Sequence, residues 1–181
     1  NEILILKKTL IALALMLPMT SFASNASQAA DKQAQSPFTP ERNKAAGNLS
    51  TNIVILQKMV NGCKTPQTTE EVKATVNKWQ QRNKAFLKMH NGYVTALIDS
   101  VKESAGEDEA KKYLANLSKV NNEQANDAIK IMVDKDGKEM ACQKYFAYVE
   151  GGEMDVKAGK PDYKVLKEML DFSTGKASKK K

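Results

Sequence analysis

The segment Thr68–Val101, TTEEVKATVNKWQQRNKAFLKMHNGYVTALIDSV, decides the fold class predicted for this chain. Thr68 and Glu71 have the spacing of a capping box, in which each side chain bonds the other residue's free backbone N–H. Apolar residues then recur at intervals of three and four, the period of an amphipathic helix. The stripe keeps its phase across Gly92, although glycine costs about 1 kcal/mol in a helix interior. We therefore expect one long helix, continuous or slightly bent near Asn91–Gly92.

Four other segments carry the same periodicity. Thr39 and Pro40 are residue types favoured at a helix N-cap and first position, and Gly62 marks the end of that helix. Long alternating runs of β-branched residues are absent, so the composition suits helices rather than strands. We expect an all-α protein, an up-and-down bundle of four main helices plus a short C-terminal helix. The remaining helices are predicted within residues 107–132, 140–149 and 161–172.

The two cysteines, Cys63 and Cys142, are expected to form a disulfide that staples the bundle. Cys63 follows the first predicted helix and Cys142 lies near the start of the fourth. An antiparallel series of helices brings these two points to the same end of the bundle, so the fold and the bridge support each other. A zinc site or a redox pair is not expected, because no C-x-x-C sequence occurs and only one histidine is present.

Residues 1–23 have the features of a secretory signal peptide. Lys7 and Lys8 form a positive region, Thr9–Met19 is apolar, and Ser21-Phe22-Ala23 offers small residues for cleavage near Ala23. The apolar run is about half of the ~20 residues that cross a bilayer, so no stable membrane anchor is expected. The predicted location is the periplasm, or the exterior after secretion, where oxidation of the two cysteines is favoured.

The rest of the chain divides into three parts by composition. Residues 24–38 form a polar leader, residues 39–172 the helical bundle domain, and residues 173–181 a lysine-rich tail; both flanking segments are expected to be disordered. The formal net charge is +7, but much of the excess lies in the tail, and the lysines of the domain alternate with acidic residues. Binding to nucleic acid is therefore not expected.

Few residues have the pattern of a cofactor or metal site. His90 is the only histidine and lies on the apolar stripe, so we interpret it as structural; ligation of a b-type haem between helices is the alternative. Asp134, Asp136, Gly137 and Glu139 resemble a fragment of a calcium loop, but the glycine comes at the fourth place instead of the sixth. We interpret that segment as a turn between helices and expect neither a metal nor a cofactor.

Two groups of residues are candidates for contact with a partner. Glu150, Glu153 and Asp155 surround two glycines in a loop that could dock on a basic partner, serve acid–base chemistry, or simply face solvent. Trp79, Arg82 and Asn83 lie together on the long helix. Trp79 is expected in the core, although an exposed Trp would be an attractive interface anchor. The partner-binding candidates are Glu150, Glu153, Asp155 and Arg82.

The sequence contains no recognisable nucleophile–base pair, metal set or nucleotide loop. With the export signal, this predicts a non-enzymatic periplasmic binding or accessory protein that contacts another periplasmic or secreted protein. An immunity protein or inhibitor of a periplasmic hydrolase or toxin is one specific form. The alternatives are a small helical periplasmic enzyme, with charged residues converging inside the bundle, and a carrier of a ligand or cofactor.

Overall fold

The computed structural model describes residues 37–63 and 69–176, and within them the chain is helical with no strand. The five helices are α1 Pro40–Gly62, α2 Thr69–Ala105, α3 Glu107–Asp136, α4 Lys138–Glu150 and α5 Tyr163–Ser173. The all-α prediction is confirmed. The predicted signal peptide, residues 24–36 of the leader, the capping residue Thr68 and the last lysines of the tail lie outside the described residues.

The start of α1 follows the predicted capping pattern. The Thr39 hydroxyl accepts the Arg42 backbone N–H at 3.3 Å, and Pro40 occupies the first turn. Just before the cap, the ring of Phe38 makes an edge contact with Tyr93, with centroids 5.4 Å apart. The packed domain thus includes Phe38, which the sequence analysis places in the leader.

The two long helices end at glycines with positive φ. Gly106 (φ 92°) separates α2 from α3, and Gly137 (φ 75°) separates α3 from α4. The turn predicted over Asp134–Gly137 is wrong in its extent, because α3 continues to Asp136 and Gly137 alone lies between the two helices. Glycine adopts this conformation without a Cβ penalty, so one residue suffices.

Helix α2 is continuous across Asn91–Gly92, as the phase of its apolar stripe predicts. Its 37 residues correspond to a length of about 55 Å at 1.5 Å per residue. This length lets α2 contact α4 in its first half and α5 in its middle. Both candidate regions described below lie along this one helix.

The core consists of two clusters that share α1. The first surrounds Trp79 and combines residues of α1, α2, α3 and α4; its buried members are Ile55, Leu56, Met59, Trp79, Ala125, Tyr145 and Val149. The second joins the start of α1 to α2 and α5; its buried members are Ala45, Ala46, Leu49, Met89, Leu166 and Met169. Helices α4 and α5 therefore pack on successive parts of α1, and the loop between them lies beside α2.

The predicted disulfide between Cys63 and Cys142 is present, and it ties the end of α1 to α4. Both cysteines pack against the Trp79 cluster. In the chain-entropy view, closing a loop of about 80 residues stabilises a domain by roughly 4 to 5 kcal/mol. None of the five described helices combines the length and the apolar character that crossing a membrane would require.

Candidate functional site

Trp79, Arg82 and Asn83 point from one face of α2 toward the loop that follows α4, because residues spaced by three and four share a helix face. The Trp79 indole Nε1–H donates to the Met154 carbonyl oxygen at 3.1 Å. The ring is 4% exposed, so the prediction that Trp79 belongs to the core is confirmed. We call the contact of these three residues with Met154, Asp155 and Val156 the latch.

Arg82 and Asp155 form the charged centre of the latch. Arg82 Nε donates to Asp155 Oδ2 at 2.7 Å and Nη2 to Asp155 Oδ1 at 3.2 Å, a two-pronged pair. Nη2 also donates to the Val149 carbonyl oxygen at 2.6 Å. Because α4 ends at Glu150, the Val149 carbonyl lacks the i+4 partner of a helix interior and accepts the Gly152 N–H at 3.2 Å as well as Arg82. A cation there also favours the helix dipole.

Asn83 is buried and uses its whole amide in the latch. Its Nδ2 donates to the Trp79 carbonyl at 2.8 Å and to Asp155 Oδ1 at 3.1 Å, and its Oδ1 accepts the Val156 N–H at 2.8 Å. A buried amide has to find such partners, because an unsatisfied donor or acceptor is costly. The side chain therefore fixes the loop backbone to α2.

The electrostatics of the latch favour its ionised form. Burial alone raises the pKa of Asp155, but the hydrogen bonds from Arg82 and Asn83 outweigh it and hold that pKa below its ordinary value. The hydrogen bond to Asp155 raises the pKa of Arg82 in turn. The Asp155 side chain is 14% exposed and the Arg82 side chain 34% exposed, so the pair is only partly shielded from solvent.

Gly152 allows the loop to make this contact. Its φ is +73°, and a Cβ placed on it would lie 2.9 Å from Asp155 Oδ2. A larger residue would be strained by the backbone conformation and would also push the carboxylate away from Arg82. The glycines beside the acidic residues are thus explained at this position by the close approach of Asp155.

The other two acidic candidates also have partners within the domain. Glu150 accepts a hydrogen bond from Thr75 at 3.0 Å and pairs with Lys78 at 2.6 Å. Glu153 pairs with Lys160 at 2.5 Å and with Lys157 at 3.6 Å. The hydrogen bonds from Lys78 and Lys160 lower the pKa of Glu150 and Glu153 respectively. The acidic loop therefore carries a balanced set of charges and not an unpaired negative patch.

His90 makes a contact between α1 and α2 that the sequence did not predict. Its Nε2 lies 2.7 Å from Ser50 Oγ and 3.2 Å from the Ala46 carbonyl oxygen. Burial lowers the pKa of His90, which favours the neutral ring. Ser50 and Ala46 lie one turn apart on α1, so a single nitrogen joins both to α2. The structural interpretation of His90 agrees with this geometry.

The segment that resembles a calcium loop forms ion pairs instead. Asp136 pairs with Lys144 at 2.6 Å, and Asp134 pairs with Lys130 one turn earlier on α3. Across residues 37–63 and 69–176 there is no group of three or more His, Cys, Asp or Glu side chains arranged to hold a metal ion.

An open groove of about 510 Å³ lies on another part of the molecule. It is bordered by Phe38 and Arg42, by the face of α2 from Ala85 to Ala96, and by residues 169–174 at the end of α5. We call it the α2–α5 groove. Its walls are mostly apolar, and Phe172 at its edge is 61% exposed. The sequence analysis did not predict it.

Comparisons of this chain with protein-family models, with curated proteins and with solved structures gave no match.

Proposed function

We propose that the chain is an exported, non-enzymatic binding protein that acts through contact with another periplasmic or secreted protein. The latch is the observation that carries this proposal. Side chains suited to catalysis, Arg82 and Asp155 above all, are paired with each other and hold a loop in place. They stabilise a scaffold, and a rigid scaffold is what a protein that presents a surface needs.

The signal-like segment and the disulfide support an oxidising compartment. The up-and-down order of the helices is part of the same proposal. It is supported by the bridge from Cys63 to Cys142 and by two contacts between α1 and α2. Tyr93 bonds Asn43 near the start of α1, whereas Trp79 packs with Met59 near its end.

The close contact of Ser50 with His90 is an observation that could favour the enzyme alternative, because it resembles a nucleophile beside a base. A hydrolase also needs free N–H donors beside its nucleophile to stabilise an oxyanion. Ser50 lies inside α1, where neighbouring backbone N–H groups belong to the helix. The pair therefore fits a contact between helices better than a catalytic dyad.

The outer face of α4 is the surface that we propose for the partner. Tyr148 is 56% exposed and Met140 is exposed two turns earlier on the same helix. Tyrosine is enriched among residues that dominate interface energies. The paired carboxylates of Glu150 and Glu153 follow directly in the chain, and their role in docking stays a prediction. An immunity protein or inhibitor of a hydrolase or toxin is the specific form of this proposal.

Affinity capture with matched variants tests the proposal. The immobilised mature protein should retain a partner from periplasmic extract, and Tyr148→Ser should release most of it. Leu114→Ser, which changes an exposed residue of α3, is the control and should capture as the wild type does. Equal capture by all three proteins would contradict the proposed surface. A hydrolytic activity that disappears in Ser50→Ala would contradict the non-enzymatic function.

A further inference from the structure

The α2–α5 groove combines apolar walls with cationic groups that lack acidic partners. Arg42 and Lys88 are the charged residues among those that line it. Neither forms an ion pair with any other residue of the described ranges. The combination of apolar walls and cations without ion-pair partners is complementary to an anionic, apolar ligand.

Arg42 is held in position at the edge of the groove. Its guanidinium carbon lies 5.8 Å from the centroid of the Phe172 ring, within the range of a cation–π contact. Its Nη1 donates to the Pro37 carbonyl oxygen at 3.0 Å. A guanidinium has five N–H donors, so others remain for a ligand. The planar group is suited to binding a carboxylate with two hydrogen bonds.

The size and shape of the groove favour a single acyl chain. Its volume of about 510 Å³ is typical of small-molecule sites, which range from roughly 300 to 1,000 Å³. Along α2 it extends from Ala85 to Ala96, about 16 Å at 1.5 Å per residue. The polar groups around it are few, so it offers little to a sugar or another ligand with many hydroxyls.

We propose that the α2–α5 groove binds a free medium-chain fatty acid, with the acyl chain against the apolar walls and the carboxylate at Arg42. This goes beyond the protein contact proposed for α4, which does not line the groove. Lys88 adds a second cation to the lining and strengthens the preference for an anion. Because the interaction is hydrophobic along the chain and charged at one end, the two parts can be tested separately.

Calorimetric titration of the full mature protein with laurate, below its critical micelle concentration, tests the acyl chain. We expect one laurate per chain. Each buried methylene raises affinity about fourfold, so decanoate, which is two methylenes shorter, should bind at least about tenfold more weakly. Failure of laurate to bind at millimolar concentration would overturn the proposal while leaving the α4 surface untouched.

Two alanine substitutions on α2 locate the site. Ala96 lines the groove, whereas Ala74 is exposed elsewhere on the same helix. Ala96→Leu should lower laurate affinity about tenfold or more, because it occupies the space of the ligand. Ala74→Leu, the matched control, should bind as the wild type does. Equal affinity of the two variants would overturn the proposal. So would a dimer in sedimentation that only Ala96→Leu dissociates, because a second copy would then cover the groove.

The headgroup is tested with laurate and its neutral analogue dodecanol. The wild type should prefer laurate, and Arg42→Gln should lose most of that preference, about ten- to a hundredfold. Arg42→Lys keeps the charge and should retain part of it. A preference that is unchanged in Arg42→Gln would show that the carboxylate is not bound there and would overturn the assignment. Thermal unfolding of each variant shows that the fold is intact.

Discussion

The chain has two arginines, and they have opposite surroundings. Arg82 in the latch is paired with Asp155 and caps the end of α4 through the Val149 carbonyl. Arg42 at the α2–α5 groove lies against Phe172 and bonds one backbone oxygen, with no carboxylate of the described residues paired to it. The charged groups of the latch pair with each other, whereas the Arg42 guanidinium at the groove is free to bind an anionic ligand.

Whether a charged side chain already has a partner in the domain distinguishes structural residues from candidate binding residues better than the residue type does. Arg82, Glu150, Glu153 and Asp155 have the chemistry of a binding site, but every one of them already has a partner in the domain. A partner protein would have to replace those contacts, which reduces the net gain from binding. The groove requires no such exchange.

The first prediction concerns the disulfide that links α1 to α4 beside the Trp79 cluster. Replacing Cys63 and Cys142 by alanine should lower the free energy of unfolding by about 4 to 5 kcal/mol. Denaturant unfolding measures this, and reduction of the wild type should give a similar loss. Mass spectrometry of the purified protein should find no free thiol before reduction. A loss below about 1 kcal/mol would show that the disulfide contributes little to the stability of the domain.

The second prediction concerns the indole that joins the core to the latch. Trp79→Ala should cost about 3 to 5 kcal/mol, because it leaves a cavity between α1, α2 and α4. Trp79→Phe keeps most of the volume and should cost less, mainly through the lost hydrogen bond to the Met154 carbonyl. Unfolding in denaturant distinguishes the two. A cost near zero for Trp79→Ala would mean that the ring contributes little to packing.

Features of the fold that depend on local backbone geometry were predictable from the sequence, and features that depend on distant contacts were less so. Helical periodicity predicted the helices, including the continuity of α2 across Gly92, because it reflects local backbone geometry. The disulfide was predictable because the chain has only two cysteines. The extent of α3 was not, since charged residues such as Asp134 and Lys130 are equally common in turns and on exposed helix faces.

The candidate site was predictable only in part. Composition singled out Arg82 and Asp155, but it could not show that they bind each other, because they lie 73 positions apart. A helical pattern assigns a residue to a face and does not identify what faces it. The groove is built from three separate segments whose small residues, such as Ala85 and Ala96, carry no chemical signal.

The third prediction compares the latch with the groove directly. Asp155→Asn should lower the free energy of unfolding at neutral pH by about 2 kcal/mol, since it weakens hydrogen bonds to a charged group. Arg42→Gln, at the groove, should change it by less than about 0.5 kcal/mol. Thermal and denaturant unfolding provide the measurement. Similar costs for the two variants would remove the distinction between the two regions.

The pH dependence of this difference follows from the lowered pKa of Asp155. A carboxyl whose pKa is lower in the folded state stabilises the protein above its unfolded pKa of about 4. That contribution is lost as the pH falls through the folded pKa. The gap between the wild type and Asp155→Asn should therefore shrink below about pH 4. A gap that widens in acid would contradict the assignment of the ionised form to the latch.

The fourth prediction compares the buried Tyr145 with the half-buried Tyr93. Tyr145, in the Trp79 cluster, is 3% exposed, and its hydroxyl is the one buried side-chain polar atom without a partner among the described residues. Tyr93, at the groove, donates its hydroxyl to Asn43 at 2.8 Å. Burial raises the pKa of both phenols, so each stays neutral at physiological pH.

Tyr145→Phe should raise the free energy of unfolding by about 1 kcal/mol, because it removes an unsatisfied buried group. Tyr93→Phe, the matched change, should lower it by about 1 kcal/mol through the lost hydrogen bond. The opposite signs, measured in denaturant, distinguish a satisfied hydroxyl from an unsatisfied one. A loss of stability in Tyr145→Phe would show that the Tyr145 hydroxyl has a hydrogen-bond partner in solution.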